Sequence, residues 1–230
     1  MSGNRVGPSR PPGPGKVFYP MFVDLEGRRC LVVGGGPVAT EKVEKLVDHG
    51  AVVRLVTPEA TPELVAMVAS GAIAEHRARA YRPEDLEGCF LVIAATNLDA
   101  INRMIWQDAE ARNMVCNVVD VPPLCNFIVP SIVRRGELAL AVSTGGASPV
   151  VAKHIRRHLD ETFGPEWEGL VSLLRDVRDE LKVRYRDMPS RRDAVERLME
   201  TDIVRRLAEG DEEGARELAV RVLDIEGVVA

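Results

Sequence analysis

Hydrophobic and polar positions first become regular near residue 29. Cys30-Leu31-Val32-Val33 is an unbroken apolar run of the kind that fills a strand covered on both faces. Glycines follow, and then Ala39, Val43, Leu46 and Val47 recur at spacings that share one face of a helix. A second apolar run, Val52-Val53-Arg54-Leu55-Val56, ends at Thr57-Pro58, so strand, turn, helix and strand complete a βαβ unit of about 30 residues. The pattern continues with a short helix over 62–70, a strand over 72–76, a buried strand over 90–95, a helix over 100–113 and a strand over 114–119. Strands that alternate with helices imply a parallel sheet.

After Asp120 the pattern changes. Residues 127–133 and 138–143 are rich in β-forming residues and are joined by Arg134-Arg135-Gly136-Glu137 with no helix between them, which reads as a hairpin. Ser148-Pro149 has the form of a helix N-cap followed by a first-turn proline, and from there to residue 230 the periodicity is helical. Leu170, Leu173, Leu174, Val177 and Leu181 make one apolar stripe; Val195, Leu198 and Leu207 begin another. The expected fold class is therefore α/β: a Rossmann-like parallel sheet, then a small β-hairpin region, then a C-terminal helical domain. The expected divisions are a flexible leader at 1–15, a dinucleotide-binding domain at 16–120, a hairpin region at 121–148 and helices at 149–230. The leader is dense in Pro and Gly, which bury too little surface to offset ordering.

Composition narrows the classes. With 230 residues, 46% hydrophobic and 28% charged, the chain has the balance of a folded protein with a sizeable core. Its formal charge of -5 argues against broad affinity for nucleic acid, which needs a basic excess. No apolar run reaches the roughly 20 residues that span a bilayer, and the N-terminus lacks a signal peptide's apolar core. Cys30, Cys89, Cys116 and Cys125 are widely spaced, with no C-x-x-C pair, which suits reduced thiols in the cytosol.

The strongest chemical signal is Gly34-Gly35-Gly36-Pro37-Val38-Ala39, a G-x-G-x-x-A turn between a strand and a helix. The first glycine permits the tight turn, the second lets a pyrophosphate approach the backbone, and small Ala39 lets helix and strand pack closely. The helix N-terminus offers free N–H groups to the anion, and Pro37 sits where a missing N–H matters least. These residues are the candidate cofactor site. The acid that usually binds the adenine ribose belongs about 20 residues further on. Here that place holds Val56-Thr57-Pro58, so Glu59, or the backbone of Pro58 and Glu59, is left to contact the ribose. No arginine cluster there invites a 2′-phosphate, which favours NAD over NADP. Thr96 and Asn97 follow a buried strand; they either approach the nicotinamide or substrate, or only cap the next helix.

Four stretches, VVGGGPVATEK, VIAATNLDAIN, NVVDVPPLCNFIVPSI and LALAVSTGGASPVVAKHIR, occur in order over residues 18–163 and resemble the precorrin-2 dehydrogenase / sirohydrochlorin ferrochelatase family, the dehydrogenase half of siroheme synthase. The missing ribose acid is a feature of that family. The resemblance implies NAD-dependent oxidation of precorrin-2 to sirohydrochlorin and, in some members, insertion of ferrous iron, a substrate and not a resident cofactor, to give siroheme. It also implies a homodimer formed through the region from Asn126 onward; at 230 residues the chain is too short for the methyltransferase fused in some relatives, so a stand-alone version is expected. Its functional aspartate, in N-V-V-D, falls on Asp120. An aspartate just past a parallel strand is well placed to accept protons; alone, it would read as a turn residue before Val121-Pro122-Pro123. Asn117, at the head of that motif, is assigned to substrate binding, as are Thr144, Gly145 and Gly146, where relatives often carry serine in place of Thr144. Glu41 departs from the family's frequent basic residue, while Lys42 is retained.

A substrate with many carboxylates calls for local positive charge. Arg134 and Arg135 at the hairpin are candidates, as are Lys153, Arg156 and Arg157 on one helical face; the alternative is a solvated face. His154 and His158 share a helix without an evident third ligand, so no metal site is assigned. Cys116 and Cys125 read as small buried residues. The competing function is a dinucleotide-sensing regulatory module that binds NAD without turnover; a third is a dehydrogenase for an unrelated small substrate.

Overall fold

A computed structural model describes residues 18–226. The expected leader at 1–15 lies outside the described residues. The chain divides between Val129 and Pro130 into two compact units, inside the stretch expected as a hairpin region, and each unit is described by itself.

The first unit runs β1 (Arg29–Val33), α1 (Pro37–Val47), β2 (Val52–Val56), α2 (Pro62–Ala69), β3 (Glu75–Arg77), β4 (Leu91–Ala94), α3 (Asp99–Glu110) and β5 (Val115–Val118). The strands form one parallel sheet in the order β3-β2-β1-β4-β5. The continuous apolar run of β1 follows from its central place. Leu31 and Val33 join a core that includes Val92 and Ile105, whereas Cys30 and Val32 join one that includes Val43 and Leu64. Successive side chains point to opposite faces, so a strand covered on both sides needs apolar residues throughout. Each such large side chain contributes roughly 1.5–3 kcal/mol by leaving water.

The two sheet edges differ from the expectation in instructive ways. The strand expected at 72–76 is Glu75–Arg77, a short segment carrying Glu75 and Arg77, which is how an edge strand resists pairing with another chain. Past β5, the strand expected from 127 does not begin there, and the residue before it closes the other edge. Asn126 N–H donates to the Cys116 carbonyl at 3.0 Å, its side-chain oxygen accepts from Cys116 N–H at 2.7 Å, and its amide donates to the Met114 carbonyl at 2.8 Å. One asparagine thus pairs backbone groups that a sixth strand would otherwise have taken.

The second unit opens with an antiparallel hairpin, β6 (Ser131–Arg135) and β7 (Leu138–Val142). Arg134 and Arg135, read as part of the turn, lie in β6 opposite Ala139 and Leu138, and the turn is Gly136-Glu137 with Gly136 at φ +55°. A two-residue connection is the commonest hairpin turn, and the glycine accepts its left-handed backbone freely. α4 (Pro149–Thr162) begins as expected: the Ser148 side chain accepts from Val151 N–H at 3.3 Å, with Pro149 in the first turn. α5 (Glu166–Asp176), α6 (Arg178–Arg184), α7 (Met188–Met199), α8 (Ile203–Ala208) and α9 (Glu212–Leu223) follow. Leu170, Leu173, Val177 and Leu181 of the first predicted stripe are buried with Leu198 and Leu218 in a core of their own. Among the described residues no helix is long and apolar enough to cross a membrane.

Candidate functional site

The glycine turn leaves β1 and crosses the carboxyl edge of the sheet. Gly34 has φ +128°, and a Cβ there would stand 2.2 Å from the Ala95 carbonyl oxygen just past β4. Gly34 N–H donates to the Val56 carbonyl at 3.0 Å, so the turn is seated between β2 and β4. Gly35 is excluded from bearing a side chain by the loop after β2: a Cβ would lie 1.8 Å from the Glu59 carbonyl oxygen. Gly36 is the opposite case. Its Cβ position meets no atom within 4 Å, and it caps α1 without any side-chain hydrogen bond. Exposed Pro37 and Val38 form the first turn of the helix, and buried Ala39 packs beneath it. Open space beside the backbone and an uncapped helix N-terminus are what a pyrophosphate requires, so these residues fit a dinucleotide.

Thr57, expected near the ribose, is buried, and its hydroxyl donates to the Glu59 carbonyl at 2.6 Å. Pro58 and Glu59 are exposed on the same loop. Thr96 lies just beyond β4, and its hydroxyl donates to Asn102 Oδ1 at 2.7 Å while Asn102 Nδ2 donates to the Thr96 carbonyl at 2.9 Å. This reciprocal pair fixes the loop that carries exposed Asn97. Asn102 is buried and was missed in the sequence, where it is one polar residue among several on a helix.

Asp120 stands two residues past β5, on the carboxyl edge shared with the glycine turn: Val119 N–H donates to the Ala94 carbonyl at 3.0 Å, next to the Ala95 that touches Gly34. Asp120 is exposed and has φ +59°, a left-handed backbone that aspartate tolerates better than most residues. The segment behind it is anchored by Cys125, whose sulfur accepts from Val118 N–H at 3.3 Å and donates to the Val118 carbonyl at 3.2 Å. Asn117 is half-buried, and its amide donates to the Phe127 carbonyl at 3.0 Å; in this position it braces the same segment.

The remaining candidates lie in the second unit. The Thr144 hydroxyl accepts from Ser148 N–H and donates to the Ser148 carbonyl, both at 3.1 Å, and so holds the residue that caps α4. Gly145 and Gly146 are exposed at φ +63° and +89°. Arg135 bonds Asp160 at 2.9 Å and Arg156 reaches the same carboxylate at 3.6 Å. Arg134, Lys153 and Arg157 are exposed. His154 and His158 are exposed on α4, and among the described residues no group of three His, Cys, Asp or Glu side chains is arranged to hold a metal ion.

A cluster that the sequence did not reveal sits at the β2–β3 edge. Asp85 is wholly buried and accepts from Arg77, from Arg79 at 2.7 and 2.9 Å, and from Arg82 N–H at 2.8 Å. Burial pushes its carboxyl up, but hydrogen bonds from Arg79 and Arg77 outweigh that and hold it at about 2. Buried Arg54 donates to Glu75 at 2.6 Å and to the Asp85 and Glu87 carbonyls. No disulfide joins any of the four cysteines; burial pushes the Cys30 and Cys116 thiols up to about 12, so neither is a nucleophile at neutral pH.

The sheet order, the glycine turn and the uncapped helix define a dinucleotide-binding protein of the Rossmann class. Residues 21–131 match the family model described as putative NAD(P)-binding, and residues 135–162 match the one described as sirohaem biosynthesis protein central. The chain is 40% identical over 208 residues to the siroheme synthase of Methylobacillus flagellatus, covering 90% of this chain and 44% of that protein. It is 40% identical over 207 residues to the siroheme synthase of Thioalkalivibrio sulfidiphilus, covering 90% and 42%. The chain therefore spans less than half the length of these curated relatives. Among solved structures, SirC, a precorrin-2 dehydrogenase, matches with a TM-score of 0.73 and 25% identity, over 90% of this chain and all of that one. The resemblance to the dehydrogenase half of siroheme synthase, drawn from the four sequence stretches, is borne out by these matches.

Proposed function

We propose that the chain oxidises precorrin-2 to sirohydrochlorin with NAD as the hydride acceptor, in the cytoplasm. The observation that carries this reading is the placement of Asp120, in a left-handed backbone, on the sheet edge that also bears the open Gly36 turn. Residues held in uncommon backbone conformations concentrate at functional sites. Bound NAD supplies a nicotinamide ring that takes up hydride. Gly36 and the first turn of α1 hold the pyrophosphate, and the loop of Thr57, Pro58 and Glu59 borders the ribose. The Thr96–Asn102 pair fixes the loop facing the nicotinamide. As hydride leaves the macrocycle, Asp120 accepts the accompanying proton. Asn117, whose amide also braces the segment after β5, is assigned to substrate binding, as are Thr144, Gly145, Gly146, Arg134 and Lys153.

The same reading includes a homodimer. Exposed Ile132, Val150, Val151 and Ile155 in the second unit support it, since such side chains gain by being covered. Four cysteines without a disulfide suit a reducing compartment.

Anaerobic incubation with precorrin-2 and NAD is expected to give sirohydrochlorin. Asp120→Asn, which keeps a residue at ease in the left-handed backbone, is expected to lower turnover by roughly 100-fold or more while leaving NAD affinity intact. NAD binding without any turnover would favour the regulatory module, and turnover of Asp120→Asn at the normal rate would remove Asp120 as the base. Adding ferrous iron to sirohydrochlorin under the same conditions tests the chelation that the resemblance implies for some members.

A further inference from the structure

We propose that Thr61 and Thr40 form a hydroxyl relay that aims the Gly36 N–H at the pyrophosphate, making them positioning residues for the cofactor. The proposal rests on the dinucleotide reading above. Thr61 is the N-cap of α2, and its hydroxyl oxygen accepts from Leu64 N–H at 3.3 Å. It lies 2.8 Å from the hydroxyl of Thr40, which is buried, and Thr40 donates to the Gly36 carbonyl at 3.2 Å. The Thr40 proton is committed to Gly36, so the proton between the two hydroxyls is that of Thr61. The relay runs in one direction, from the Leu64 N–H through Thr61 and Thr40 to Gly36, and it ties the cap of α2 to the cap of α1.

Peptide geometry gives the relay its consequence. Thr61 N–H donates to the Gly35 carbonyl at 2.9 Å, so that carbonyl faces the loop after β2. In a planar trans peptide the carbonyl and the following N–H point to opposite sides. The Gly36 N–H is therefore turned away from the loop, and a Cβ on Gly36 would meet nothing within 4 Å. If Thr61 shifts, the Gly35–Gly36 peptide is free to rotate and its N–H loses its aim. The hydroxyl pair holds Thr61 against α1, and Thr61 N–H in turn holds the Gly35 carbonyl that sets this plane.

The test compares NAD affinity and steady-state kinetics in Thr40→Val, Thr40→Ser, Thr61→Val and the Thr40→Val/Thr61→Val double variant of the full chain. Thr40→Val leaves the Thr61 cap of α2 in place and removes only the relay. It is expected to weaken NAD binding roughly tenfold and to raise the KM for NAD with kcat moved less than twofold, the order expected for one lost hydrogen bond. Thr40→Ser, which restores the hydroxyl, is expected to return affinity to within about twofold of the parent. The double variant should be no weaker than the Thr61→Val single, because both break one relay. Equal NAD affinity in Thr40→Val and the parent overturns the relay while leaving the dehydrogenase reading standing. Failure of the parent itself to bind NAD overturns both.

Discussion

The glycine turn and the Asp85 cluster belong to the same unit, yet they are built from different materials. The turn is made of backbone: Gly34 and Gly35 exist because neighbouring carbonyl oxygens occupy the space a Cβ would need. The cluster is made of charge: one buried carboxylate satisfied by Arg77, Arg79 and the Arg82 N–H. A backbone constraint writes itself into the sequence, because only one residue type meets it. A charge cluster assembled from β2, β3 and the 3-10 turn at Pro83–Leu86 leaves no spacing rule behind.

Substitutions at three positions test that contrast. The largest stability loss is expected for Asp85→Ala, about 3–5 kcal/mol, because two arginines lose their buried partner. Chemical denaturation measures it. The Asp85 carboxyl is held below its ordinary 3.8, at about 2, so its contribution is complete above 3.8 and is lost as pH falls towards 2. The stability gap between the parent and Asp85→Asn should accordingly narrow over that window; a gap that widens on acidification would contradict the assignment. Gly35→Ala comes next, with a loss of about 1–3 kcal/mol from overpacking against the Glu59 carbonyl, accompanied by loss of NAD binding. Gly36→Ala is the mildest. It should leave the melting temperature nearly unchanged, since its Cβ meets nothing, and weaken NAD roughly tenfold by standing between backbone and pyrophosphate. Equal stability effects at Gly35 and Gly36 would erase the distinction between a glycine required by the fold and one required by the ligand.

Much of the first unit is legible in its apolar runs, because β1, β2 and β4 are covered on both faces and tolerate little else; Arg54 is an exception and is stabilised by its own ion pair. Where burial is partial, the reading slips. β3 shifts towards Glu75 and Arg77 because its residues answer to a charge cluster instead of a core, and residues 127–130 are not strand because Asn126 already closes the edge of β5. The same division holds at the candidate site. Gly34, Gly35 and Gly36 are recognisable from the residues alone, whereas Asp120, well placed just past a parallel strand, is told from a turn residue by the resemblance of its motif. Asn102, Thr40 and Thr61 could not be identified as a set, since their contacts join separated segments; only Thr61-Pro62 carries a visible signal, as a cap before a first-turn proline.

The central claim joins a nicotinamide site to proton removal at Asp120. Its most direct test is anaerobic sirohydrochlorin formation from precorrin-2, followed with and without NAD in the parent chain and in Asp120→Asn. The account predicts NAD-dependent product from the parent and nearly none from the variant, whose NAD affinity is retained. Product formed independently of NAD, or at equal rates by both proteins, would contradict it.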